Sequence, residues 1–165
     1  MSSTYIPAEL RRLVVERAES TCEYCLIAEV DTFFGCEVDH IISEKHGGAT
    51  EEGNLGLACL VCNRKKGSDV GSMVPGSGRF VRFFNPRSDH WADHFSFNED
   101  AFAITPSGDV GVVTEQILRF NDPERILERK ALYEVGRYPR RPAPHVQVRH
   151  RGTETTSSLC LCVSV

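Results

Sequence analysis

Residues 38–66 read Val38-Asp39-His40-Ile41-Ile42-Ser43-Glu44-Lys45-His46-Gly47-Gly48, then Ala49-Thr50-Glu51-Glu52-Gly53-Asn54-Leu55-Gly56-Leu57-Ala58, then Cys59-Leu60-Val61-Cys62-Asn63-Arg64-Lys65-Lys66. An acid beside a histidine closes an apolar run, a lone asparagine follows, and a cysteine pair leads into a second asparagine and three cations. These are the parts needed to hold a cation and to activate water against a phosphate. The cysteine spacing also occurs upstream, at Cys22-Glu23-Tyr24-Cys25. Two such pairs are a zinc signature, and four thiolates complete a tetrahedron with no position left for water, so the ion they imply is structural.

The bulk numbers frame that reading. The chain has 165 residues, 41% of them hydrophobic, which suits one packed domain or a small domain with an extension and excludes disorder throughout. No apolar run approaches the roughly 20 residues needed to span a bilayer, and Ser2, Ser3 and Thr4 replace a basic and apolar leader. A cytoplasmic protein with no membrane contact is expected. Seven cysteines then point to metal rather than disulfides. Cys36, Cys160 and Cys162 are left over, Cys36 as a small apolar residue and the last two in a tail. The net charge of −4 argues against coating nucleic acid by bulk electrostatics, and positive charge gathers after Cys62 and towards the C-terminus.

Along the chain, Pro7 to Glu19 predicts an amphipathic helix from Leu10, Leu13 and Val14. Residues 32–42 and 55–58 predict a β-hairpin with a long loop turning at Gly47-Gly48, and Asn63 is expected to open a short helix. His46 reads as an exposed loop residue. Gly71 to Gly78 reads as a linker, Arg79 to Phe84 as a strand, and Phe102 to Val113 as two strands turning at Pro106-Ser107-Gly108-Asp109, with a short helix over Thr114 to Phe120. Asp122-Pro123-Glu124 starts a helix whose apolar face is Ile126, Leu127, Tyr133 and Val135. The expected fold class is α+β: a zinc-anchored core over residues 1–71, an α+β extension over 72–138 packed on it, and a disordered tail over 139–165.

The chemistry centres on His40, whose unperturbed pKa suits a general base, and on the hard oxygens of Asp39 and Asn63, which suit Mg²⁺ with several waters, a second zinc being more commonly held by histidines. Neighbouring strand residues face opposite ways, so Asp39 and His40 serve one phosphate only where the strand ends and bends. Arg64, Lys65 and Lys66 are the cluster expected to meet a phosphate backbone. His90 and His94 have the four-residue spacing of a metal pair, but with no third ligand nearby they are expected to pack or cap beside Trp91 and Phe95.

Asp39-His40, Asn54 and Asn63, set among two Cys-x-x-Cys pairs, resemble the signature of the HNH endonucleases, the ββα-metal nucleases in their zinc-supported form. The resemblance covers Pro7 to Gly71. It implies that His40 is the general base, that Asp39 and Asn63 hold one divalent cation, that Asn54 orients the loop bearing the base, and that the substrate is DNA. Asn63 stands where many members have histidine, which exchanges a nitrogen ligand for an oxygen and favours Mg²⁺ or Mn²⁺. Phe83-Phe84-Asn85-Pro86-Arg87, Trp91 and His94-Phe95 are similar to an extension in a bacterial subfamily whose role the resemblance does not give. Two rivals stand beside this reading: a catalytically silent zinc module that binds nucleic acid or protein, and an RNase.

Overall fold

The computed structural model describes residues 5–140. The first helix, α1 (Ala8–Arg17), turns Val14 fully inward, with Leu10 and Leu13 partly buried beside it. They meet Ile6, Val38, Leu55 and Leu57, and burying a side chain such as Val14 stabilises by roughly 1.5–3 kcal/mol. Two consecutive residues with positive φ, Glu19 and Ser20, then reverse the chain into the Cys22–Cys25 turn.

The hairpin beyond it is β1 (Cys36–His40) and β2 (Leu55–Cys59), antiparallel, with Val38 opposite Leu57, Asp39 opposite Gly56 and His40 opposite Leu55. Side chains alternate across a strand, so Val38 and His40 share the buried α1 side while Glu37 and Asp39 share the other. Every residue of β2 is buried, because both of its faces are covered.

Helix α2 (Leu60–Lys66) follows directly. It begins three residues before the expected Asn63 start, because the strand passes straight into the helix at Cys59 and so puts Cys62 in the first turn. The expected cations after Cys62 therefore lie at its end, where they complement the carbonyl terminus.

In the extension, β3 (Gly71–Met73) pairs with β4 (Phe80–Arg82), so the first three residues of the segment read as a linker are strand. Gly71 is required for that pairing: a Cβ there would stand 2.4 Å from the Val81 carbonyl oxygen. A short helix, α3 (Trp91–His94), leads into β5 (Phe95–Asn98), which pairs with β6 (Ala103–Pro106). The second strand expected within 102–113 is instead the start of α4 (Gly108–Leu118). Gly111 explains the difference, since a Cβ there would lie 2.3 Å from the His94 carbonyl oxygen, and close packing onto α3 overrides the strand preference of the valines.

The last helix among the described residues, α5 (Pro123–Glu134), starts as expected after Asp122. Its face differs from the expected one: Leu127 and Val135 are exposed, and Arg125 and Arg129 point inward. Arg129 is fully buried and donates to the carbonyls of Phe102 and Phe120 at 2.7 and 2.6 Å.

One core joins the extension to the cysteines. Phe84, Phe95 and Phe120 stack edge to face at 5.5 and 5.6 Å between centroids, and this cluster continues into Cys22, Cys25, Cys59 and Cys62. The fold is α+β, mixed helix with three two-stranded sheets among the described residues. No helix among the described residues is long and apolar enough to cross a membrane. Of the tail expected over 139–165, residues 141–165, with Cys160 and Cys162, lie outside the described residues, whereas Arg140 N–H donates to the Leu26 carbonyl at 3.3 Å.

Candidate active site and metal centre

Cys22 and Cys25 sit in a tight turn closed by Leu26 N–H donating to the Cys22 carbonyl at 2.9 Å, and Leu26 holds a positive φ to make it. Cys59 ends β2 and Cys62 lies one helical turn on, so strand and helix bring the second pair to the first. All four sulfurs are buried and within 4.8 Å of one another. Tetrahedral zinc with Zn–S near 2.3 Å requires sulfurs about 3.8 Å apart; Cys25 Sγ and Cys59 Sγ are 3.8 Å apart. The set fits zinc in spacing, in softness and in closure.

Within the set the thiols differ in acidity. Hydrogen bonds from Cys22, Cys25 and Cys62 pull the Cys59 thiol far down, while burial first and then its neighbours hold Cys22 up. Cys62 is held up by its hydrogen bonds to the other three and by burial. Cys36 lies outside the set, half-buried at the start of β1, with its thiol raised by burial.

The extension grips the first knuckle. Trp91 Nε1 donates to the Tyr24 carbonyl at 2.8 Å and Tyr138 Oη to the Cys25 carbonyl at 3.0 Å. Arg87 pairs with Glu23, whose other carboxylate oxygen accepts from Leu57 N–H at 2.8 Å. Arg125 donates through Nη2 to Cys25 Sγ at 3.1 Å. Burial works against that charge, but Cys25, Cys62 and Cys59 outweigh it and raise the Arg125 pKa.

The second site lies at the other end of the hairpin. His40 is the last residue of β1, and its ring, 2% exposed, has Nε2 2.9 Å from Thr50 Oγ1. Asn54 clamps the loop between them: Oδ1 accepts from Ile42 N–H, and Nδ2 donates to the carbonyls of Ile42 and Ala49, each at 2.9 Å. Gly48 lets the loop close, because a Cβ there would stand 1.8 Å from the Ile42 carbonyl oxygen and 2.7 Å from Asn54 Nδ2. His46 is exposed.

On the opposite face of β1, α2 lays Asn63 and Lys66, three residues apart on one helix ridge, over Glu37 and Asp39, two apart on the strand. Asn63 Nδ2 donates to Glu37 Oε2 at 2.7 Å, and Lys66 Nζ to Asp39 Oδ2 at 2.9 Å and to the His40 carbonyl at 2.7 Å. Asp39 and Asn63 thus share a face, but no hydrogen bond joins them among the described residues. Asp39 Oδ1 has no hydrogen-bond partner among the described residues, and Asn63, donating through nitrogen, keeps its oxygen. These are hard donors that fit Mg²⁺ or Mn²⁺ in kind.

Of the three cations expected to meet phosphate, Arg64 is exposed and Lys65 lies 3.6 Å from Asp122. Lys66 corrects the expectation: it is 3% exposed and its ammonium is inside the protein. The register of α2 across β1 turns it in, and composition carries no trace of that. Thr50 and Arg125 were likewise not singled out by sequence; only the three-dimensional neighbourhood marks them. His94 packs on Phe84 at 6.0 Å, as expected, whereas His90 precedes α3 without a side-chain cap hydrogen bond.

No curated protein and no solved structure matches this chain. The family model described as HNH endonuclease matches residues 22–69, a span that runs from the first zinc cysteine past α2 and encloses both sites. Over residues 22–69 this chain is similar to the HNH endonuclease family.

Proposed function

We propose that this domain hydrolyses phosphodiester bonds of DNA with His40 as general base. The support that weighs most is the clamp at the end of β1, where three Asn54 hydrogen bonds fix the loop that carries Thr50 to the His40 ring. With Nε2–H donating to Thr50 Oγ1, the lone pair of His40 is on Nδ1, and that atom takes the proton of the attacking water. Thr50 and Asn54 are positioning residues in this reading.

A Mg²⁺ or Mn²⁺ ion held by Asp39 and Asn63 would neutralise charge on the phosphoryl oxygens and the leaving 3′ oxygen. Lys66 ties the Asp39 carboxylate to the His40 backbone carbonyl and so fixes the end of β1; the two side chains leave that strand on opposite faces, so a phosphate is expected to reach both around its end. Arg64 and Lys65, at the end of α2, are the proposed backbone contacts. The four cysteines hold a structural zinc and take no part in the reaction.

One observation favours a second reading, a zinc module that binds without cutting: the His40 ring is 2% exposed and Thr50 already meets Nε2. Incubating supercoiled plasmid, and separately a structured RNA, with the protein and Mg²⁺ or Mn²⁺ decides between them. The proposal expects nicked or linear plasmid, with a loss of roughly 100-fold or more in His40→Ala. Cutting that persists in that variant removes His40 as the base. Cutting of RNA alone changes the substrate, and no cutting of either leaves the binding module.

A further inference from the structure

Helix α5 comes from the far end of the described chain, yet it sends an arginine to the sulfurs. Four thiolates around a divalent cation carry a net charge near −2, and a buried net charge is costly unless paired and hydrogen-bonded. Arg125 is 7% exposed, and its Nη2 lies 3.1 Å from Cys25 Sγ and 3.8 Å from Cys59 Sγ. Its Nη1 pairs with Glu128 one turn on, so the planar fork is held from its other side.

Arg129 shows that this is more than a buried arginine finding acceptors. It is still more deeply buried, and its Nε and Nη1 are satisfied by neutral carbonyls, those of Phe102 and Phe120. The same helix therefore buries one arginine against backbone and aims another at two metal-ligating sulfurs, one from each cysteine pair. Hydrogen bonds from a cation draw electron density from thiolates, which lowers their reactivity and stabilises the coordinated state.

We propose that Arg125 is the outer cation of the four-cysteine centre. Its guanidinium donates to the ligand sulfurs of Cys25 and Cys59, offsets part of their charge, and lets α5 set how tightly zinc is held and how reactive the thiolates are. This does not depend on the nuclease reading.

The test uses the full chain loaded with ¹¹³Cd²⁺ in place of zinc. Guanidinium protons of Arg125 are expected to show scalar coupling to ¹¹³Cd across the N–H···S bond. In the Co²⁺-loaded Arg125→Met variant, the thiolate-to-metal absorption is expected to move to longer wavelength, and zinc transfer to a chelator to speed up by roughly 10–100-fold, with Arg125→Lys between. A purely structural role for Arg125 would speed zinc loss through unfolding but would leave the cobalt band in place. Absence of the coupling in the wild-type chain, in a spectrum that shows backbone amide couplings to the same metal, overturns the proposal whether or not the variants fold.

Discussion

Around the four sulfurs, support arrives from remote sequence: Arg125 and Tyr138 reach Cys25 across 100 and 113 residues. Around His40 the support is local, with Thr50 and Asn54 acting across 10 and 12 residues. The first centre is closed, buried and tied to the common core. The second is a loop fixed by side-chain hydrogen bonds on a hairpin end. The four-sulfur centre is built into the core, whereas the proposed phosphate site is clamped by a few polar contacts that can be adjusted one at a time.

The strongest way to sharpen that contrast is to remove one holding side chain from each region. Cys62→Ser is expected to abolish the cooperative unfolding transition seen by calorimetry, because zinc binding and folding are one process in such a site. A variant that still melts cooperatively near the wild-type temperature would mean that the sulfurs are not the anchor. Asn54→Ala is expected to cost about 2–4 kcal/mol by chemical denaturation, for three lost hydrogen bonds and the backbone groups they satisfied, while zinc content by metal analysis stays at the wild-type value. Zinc lost along with the clamp would erase the separation between the two regions. The smallest effect belongs to Thr50→Val, which keeps the shape of the side chain and removes only the hydroxyl. Stability should fall by about 1 kcal/mol, and cleavage by a larger factor than that change in folding accounts for. Unchanged cleavage would show that Thr50 does not orient the ring.

The same contrast explains what could be read from the sequence. The knot was legible because Cys-x-x-Cys spacing is a local geometric requirement, and it appears twice. Asp39, His40 and Asn54 were legible as a pattern of residue types at fixed distances. Lys66 was not, because Arg64, Lys65 and Lys66 are equivalent as letters and only the register of α2 on β1 buries one of them. Arg125 and Arg129 were hidden for a related reason: an arginine on an amphipathic helix reads as the wet face, and the apolar Leu127 and Val135 invited the opposite orientation. Valines 110, 112 and 113 favour a strand locally, but Gly111 admits the close approach to α3 that makes α4 a helix. In each case the missing information was a contact between distant segments.

The central claim is that the hairpin, the turn before it and the helix after it hold two separable metal chemistries, a structural zinc on cysteines and a divalent cation on oxygens. Mild chelation of the purified protein, followed by metal analysis and a plasmid assay on the same sample, tests it most directly. The account predicts about one zinc retained per chain while cleavage stops, and cleavage restored by adding Mg²⁺ alone. Zinc and cleavage disappearing together, with activity returned only by zinc, would contradict it.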